Sequence, residues 1–226
     1  MQRETARQRA ERVLDELSLT ARNGHIEIID FKEAESCYVH HSRRAVALTG
    51  YACVSPVMAR GRFPRYTFID MIQGMPAMDG GEAWALAAIC GATIPESYSD
   101  WPQAFGERVW RVVQKYDLDA FFERVTRPFG SGGDHYHLRP RGFDWESPDR
   151  TELPDVLARW RSEYRKSPPV RQVMTATVLQ LYRQGEDKHW MVRVPKGWHA
   201  SEGIEILQAA DALEDWGGLC ATYAGW

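Results

Sequence analysis

The sequence predicts an α+β protein, with several helices packed on a small, mainly antiparallel sheet in a single domain. Three observations predict it. Apolar residues recur at spacings of three and four in Ala6, Ala10, Val13, Leu14 and Leu17, and again across Trp101 to Lys115 and Pro154 to Lys166, which is the period of a half-buried helix. Val170 to Tyr182 is β-branched and alternating, and a Gly185-Glu186-Asp187-Lys188 turn leads from it into His189 to Val194, so this stretch reads as a β-hairpin. The 226 residues are 44% hydrophobic and 26% charged, enough apolar material for one large core and too little charge for wholesale disorder. The domain is expected to span 1–226, with an N-terminal lobe over 1–128 and a C-terminal hairpin and helix lobe over 150–226 as its subdivisions.

In chain order, residues 2 to 22 read as an amphipathic opening helix stopped by Asn23-Gly24. His25 to Phe31 mixes Ile26, Ile28 and Ile29 with polar residues and reads as a short strand. Residues 36 to 54 break any clean period, and their β-branched and aromatic content tilts them toward strand. Pro56 to Gly81 is rich in Gly, Pro and Met, so a loop around a short strand at Tyr66 to Ile72 is expected. Glu82 to Cys90 is an alanine-rich helix closed by Gly91. Asp100 before Trp101-Pro102 opens a helix to Lys115, its carboxylate placed to accept orphan backbone N–H groups. Asp117 then caps a further helical stretch carrying Leu118, Phe121, Phe122 and Val125, ended by Pro128. Gly130 to Asp149 is a connector, and Pro154 to Lys166 a helix stopped by Pro168-Pro169. Beyond the hairpin, Ser201 caps a last helix through Ile204, Leu207, Ala210 and Leu213, ended by Gly217-Gly218.

The charge is uneven. From Ser36 to Ile69 there is no aspartate or glutamate, yet Arg43, Arg44, Arg60, Arg62 and Arg65 all lie in that span, interleaved with His40, His41, Tyr51, Phe63 and Tyr66. Guanidinium groups beside aromatic rings suit phosphate contact plus stacking, so this face, with Phe63 and Tyr66, is the first candidate for an anionic partner. The competing reading pairs these arginines with Asp70, Glu82 or the acidic C-terminal helix that carries Glu202, Glu205, Asp211, Glu214 and Asp215. Arg159, Arg161, Arg165, Lys166 and Arg171 extend the patch if the fold brings the segments together. A formal charge of −3 argues against a protein that coats nucleic acid through overall electrostatics, so any such contact must be local.

Ser131-Gly132-Gly133-Asp134-His135-Tyr136-His137-Leu138-Arg139-Pro140-Arg141 is the stretch best suited to chemistry. If His135 to His137 is extended, both imidazoles point to one face about 7 Å apart, a spacing from which they can ligate one metal ion. The same residues serve equally as acid and base, with Arg139 and Arg141 as anion clamps. No strand and Lys-Ser/Thr frame the glycines as a phosphate loop requires. Cys37, His40, Cys53 and Cys90 suit zinc chemically, but their gaps fit no standard knuckle. Without tight spacing or a secretory leader, the four cysteines are expected as free thiols in a reduced cytoplasmic compartment. No apolar run approaches the roughly 18 residues of a membrane span.

Together these features point to a non-catalytic binding protein, without a cofactor, that uses its arginine-rich face to engage nucleic acid or an acidic nucleoprotein complex. The composition is consistent with a bacterial or phage accessory protein carried on a mobile element. The alternative is a metal- or histidine-dependent phosphoesterase centred on His135 and His137.

Overall fold

Thr5 and Gln8 open the first helix as a reciprocal cap: the Gln8 N–H donates to the Thr5 hydroxyl (3.3 Å) and the Thr5 N–H to the Gln8 side-chain carbonyl (2.9 Å). This helix, α1 (Ala6–Glu16), buries Ala10, Val13 and Leu14, the stripe expected from its period. The computed structural model describes residues 4–17, 19–22, 25–28, 41–62, 64–125, 134–184, 187–192 and 198–226. The opening helix does not continue to residue 22. Instead β1 (Leu19–Arg22) pairs antiparallel with β2 (His25–Ile28), from Leu19 opposite Ile28 to Arg22 opposite His25. Asn-Gly is a hairpin signal as well as a helix stop, and the ordinary strand propensities of Thr20, Ile26 and Ile28 decide for the hairpin. Asn23, Gly24 and the end of the expected strand, Ile29 to Phe31, lie outside the described residues.

The stretch tilted toward strand is helical from residue 41: α2 (His41–Val54) buries Ala45, Val46, Leu48, Tyr51, Ala52, Cys53 and Val54. A helix covered on most sides needs no polar face, so its period disappears from the sequence. The expected loop contains α3 (Pro56–Arg62) and, where a strand was expected, α4 (Phe68–Gln73). Thr67 starts α4 through a box with Asp70: the Asp70 N–H donates to the Thr67 hydroxyl (3.1 Å) and the Thr67 N–H to the Asp70 carboxylate (2.9 Å). α5 (Gly80–Cys90) ends at Gly91 in the left-handed conformation, as read. α6 (Trp101–Lys115) also stands as read, although the Asp100 carboxylate takes the Ser99 hydroxyl rather than capping the helix.

Beyond α6 the described residues 117–125 do not form the helix expected from Asp117. Asp117 itself adopts a positive φ of 53°, and β3 (Phe122–Arg124) pairs antiparallel with β4 (Leu138–Pro140). α7 (Pro154–Lys166) is found as expected. The hairpin is not: Val170 to Tyr182 belongs to α8 (Pro169–Tyr182), in which every residue from Val173 to Leu181 is buried. The alternation of Val173, Thr175 and Thr177 therefore reflects a helix enclosed on all sides, where Thr177 satisfies its hydroxyl on the Val173 carbonyl (2.9 Å). The expected partner strand is a loop gathered around Asp187, whose carboxylate accepts the N–H groups of His189, Trp190 and Met191 at 2.9, 3.0 and 2.6 Å. Residues 193 and 194 are outside the described set. The last helix is two, α9 (Ala200–Ala209) and α10 (Leu213–Ala221), separated at Asp211 with its positive φ of 51°. His199, not Ser201, caps α9, and Gly217 and Gly218 lie within α10.

Among the described residues, helices and two small antiparallel sheets thus form one α+β domain. α5 is its hub, with α1, α2 and α10 packed against it, while α9 bridges α2 and α4 and α8 backs α4. α10 reaches α5 closely because Gly217 has no side chain. A Cβ there would fall 2.2 Å from the Cys90 Cβ, far inside contact distance. Trp216, fully buried beside it, lies 5.8 Å from the Phe68 ring. No described helix is long and apolar enough to cross a membrane.

Candidate anion-binding groove

The candidate clamp Arg139 and Arg141 is set by the β3–β4 register, in which Glu123 stands opposite Arg139. Each oxygen of the Glu123 carboxylate takes one arginine, Arg139 Nε at 2.7 Å and Arg141 Nη1 at 3.3 Å. Arg141 Nε also donates to the Asp119 and Phe122 carbonyls (2.9 and 3.1 Å), and Arg139 pairs with Glu146 at 3.2 Å. Desolvation pulls the Arg139 guanidinium down, but its hydrogen bonds to Glu123 and Glu146 outweigh it and hold it above its ordinary value. The backbone here is equally tied. Trp190 Nε1 donates to the Arg141 carbonyl (2.6 Å), and the Leu153 N–H to the Gly142 carbonyl (2.8 Å). Gly142 has a φ of 133°, and a Cβ on it would lie 2.4 Å from a Leu157 methyl, so glycine is what lets this turn rest on α7.

Between that turn and α7 lies a half-open groove of about 590 Å³. Glu123, Arg141 and Phe143 line one side and Leu153, Val156, Arg159, Ser162, Glu163 and Lys166 the other, over a floor formed in part by Trp160. The geometry of α7 explains the second wall. Leu157, Trp160 and Tyr164 face the core, and Val156, Arg159, Glu163 and Lys166, at intervals of three and four, share the stripe beside them. Glu163 is engaged by Arg171 (2.8 Å), which also reaches Asp117 (3.1 Å). Arg159 and Lys166 are exposed and have no hydrogen-bond or ion-pair partner among the described residues. Two positive charges are therefore left over in a groove whose carboxylates are already bound to arginines. No protein-family model, curated protein or solved structure matches this chain.

The other candidates are dispersed. Arg60 reaches across to α9 and pairs with Glu205 and, at 3.9 Å, with Glu202, the competing reading for the cationic span. Arg65 is exposed and without an ion pair among the described residues, and Tyr66 is half-buried with its carbonyl accepting the Ala200 N–H. Phe63 and the side chains of Arg43, Arg44 and Arg62 lie outside the described residues, as do Cys37 and His40. Arg161 is tied to the carbonyls of His189 and Trp190. The fold thus joins Arg141 to Arg159 and Lys166, leaving Arg60 on another face. Glu123 and Phe143 were not singled out from sequence. The Glu123 to Arg139 pairing depends on a strand register that the helical pattern of Leu118 to Val125 concealed.

The two histidines do not share an extended strand. They lie on a single 3₁₀ turn, Asp134–His137, where His135 is buried against Phe105, Tyr136 and Trp226 with ring centroids at 4.9, 4.2 and 5.7 Å. His137 places Nδ1 2.9 Å from the Val125 carbonyl, and no described group of three His, Cys, Asp or Glu is placed to hold a metal ion. Cys53, Cys90 and Cys220 are free and buried. Burial pushes the Cys53 thiol up from 9.0 to about 12, and it also raises Cys90 and Cys220. These three thiols are expected to resist an aromatic disulfide reagent in the native state at pH 8 and to react on unfolding. Because the unfolded thiol ionises first, stability should hold below pH 9 and fall as pH rises from 9 toward 12. Native labelling of Cys53, Cys90 or Cys220 at the unfolded rate would contradict this packing.

Proposed function

We propose that the protein is a non-catalytic binding protein that contacts nucleic acid through the α7 groove. The observation that supports this reading is the pair Arg159 and Lys166, two exposed cations left without a counter-charge where most neighbouring arginines are already paired. Seven residues apart on one helix, they stand about 10.5 Å from each other along its axis, with Arg141 facing them across the groove. Local cations of this kind fit a net-acidic chain, whose overall field cannot attract polyanions. The arginine-rich span at 36–69 carries less of the argument than its charge suggested, because Arg60 is already held by α9. The free buried thiols support placement in a reducing compartment, the cytosol.

The test is fluorescence anisotropy of labelled oligonucleotides titrated with the protein from low to physiological salt. With two phosphate contacts, from Arg159 and Lys166, the logarithm of affinity is expected to fall with a slope of roughly −1.4 to −1.8 against the logarithm of salt. Absence of saturable binding at low salt would overturn the reading and turn attention to an acidic protein partner.

A further inference from the structure

We infer that the ligand of the groove is a single strand of nucleic acid rather than a duplex, an inference that rests on the reading of the groove as a nucleic-acid contact. Three features of the walls carry it. First, the cations lie in a concave groove of about 590 Å³, the scale of a small-molecule site. A strand can lay a nucleotide into such a space, whereas a duplex keeps its bases paired and stacked and offers only its backbone to the rim. Second, Phe143 brings an aromatic ring to the wall opposite the cations. That ring is braced by Trp145, His189 and Trp190 at centroid distances of 5.4, 5.0 and 5.0 Å, so little side-chain freedom is lost when a base stacks on its accessible part. Leu153 adds apolar surface at the same level, and the Ser162 hydroxyl offers a donor and acceptor to a base edge.

Third, the separation of Arg159 and Lys166 sets the number of phosphates. Their backbone positions stand about 10.5 Å apart along the helix, which gives each cation room for its own phosphate of a strand.

The experiment compares a fluorescein-labelled 12-nucleotide single strand with the duplex of the same sequence, with unlabelled nucleoside monophosphate as competitor. The strand is expected to bind at least tenfold more tightly than the duplex, and the monophosphate to compete only weakly. Phe143→Leu, which keeps bulk but removes the π face, is expected to weaken strand binding about tenfold with the salt slope unchanged, and Phe143→Trp to retain it. Equal or tighter binding of the duplex would overturn the single-strand inference and leave the groove reading standing. So would an unchanged strand affinity in a folded Phe143→Leu protein. Monophosphate competing as strongly as the strand would reassign the groove to free nucleotides. Binding of neither oligonucleotide would overturn the groove reading and this inference together. If Phe143→Leu does not fold, the wild-type comparison of strand and duplex decides alone.

Discussion

Trp216→Ala is expected to lower the stability of the protein by about 3–5 kcal/mol, the range for deleting a fully buried tryptophan. The indole is at zero exposure in α10, packed on Phe68 of α4 and hydrogen-bonded through Nε1 to the Thr177 hydroxyl of α8 (3.0 Å). Its removal opens a cavity among three helices and takes from Thr177 the donor that its oxygen receives. Thr177 keeps its own bond to the Val173 carbonyl, so the polar loss is limited to one acceptor and the cavity dominates. Natural domains have only about 5–15 kcal/mol in hand, so the variant stands near the threshold of folding. Chemical denaturation checks it: the midpoint should fall with the slope unchanged, and Trp216→Phe should recover a large part. A loss below about 1 kcal/mol would mean that the three helices do not meet around this side chain.

Reversing both free cations of the groove, Arg159→Glu with Lys166→Glu, is expected to abolish oligonucleotide binding that the wild type shows. Neither side chain makes a bond among the described residues, so the substitution removes ligand contacts without breaking an internal pair. Each lost phosphate contact reduces the salt slope by roughly one, and the new carboxylates add repulsion beside Glu163. A fall of at least about 100-fold at low salt, with the far-ultraviolet dichroism and denaturation midpoint unchanged, is the expected pair of results. Arg60→Glu is the counterpart on the other face: it breaks the pair with Glu205 and should leave binding intact. Binding lost in Arg60→Glu and retained in the groove variant would move the contact to the arginine-rich span.

α1, α6 and α7 were legible in the sequence because each turns one face to solvent and one to the core, so half of its surface must stay polar. α2 and α8 lost that signature for the opposite reason. Residues 45–54 of α2 and 173–181 of α8 are almost all buried, so nearly every position there is apolar or small, and Val173, Thr175 and Thr177 then imitate the alternation of a strand. α5 is largely buried and was legible instead by its alanines and its Gly91 stop. The start of α4 was written in Thr67 and Asp70, a reciprocal cap hidden by the surrounding glycine and proline. β3 is three residues long and acquires its conformation from a partner more than a dozen positions away, which no local pattern encodes. The groove was legible as residues but not as a place. Arg141, Arg159 and Lys166 stood out by charge, whereas their meeting depends on Gly142 lying against Leu157, and the neutralisation of Arg139 depends on strand register.

The contact between Gly217 and Cys90 also has a consequence for how the chain reaches this structure. That contact closes a loop of more than half the chain, and α5 cannot be completed as a hub until α10 has been synthesised and has docked. Helix-rich proteins fold fast when their contacts are local. Here the decisive contacts join distant segments, so the entropy of closing long loops must be met before the core rewards it. Despite its helical content, the protein belongs kinetically with slower mixed topologies, and on the ribosome its N-terminal helices emerge before the surface that will cover them.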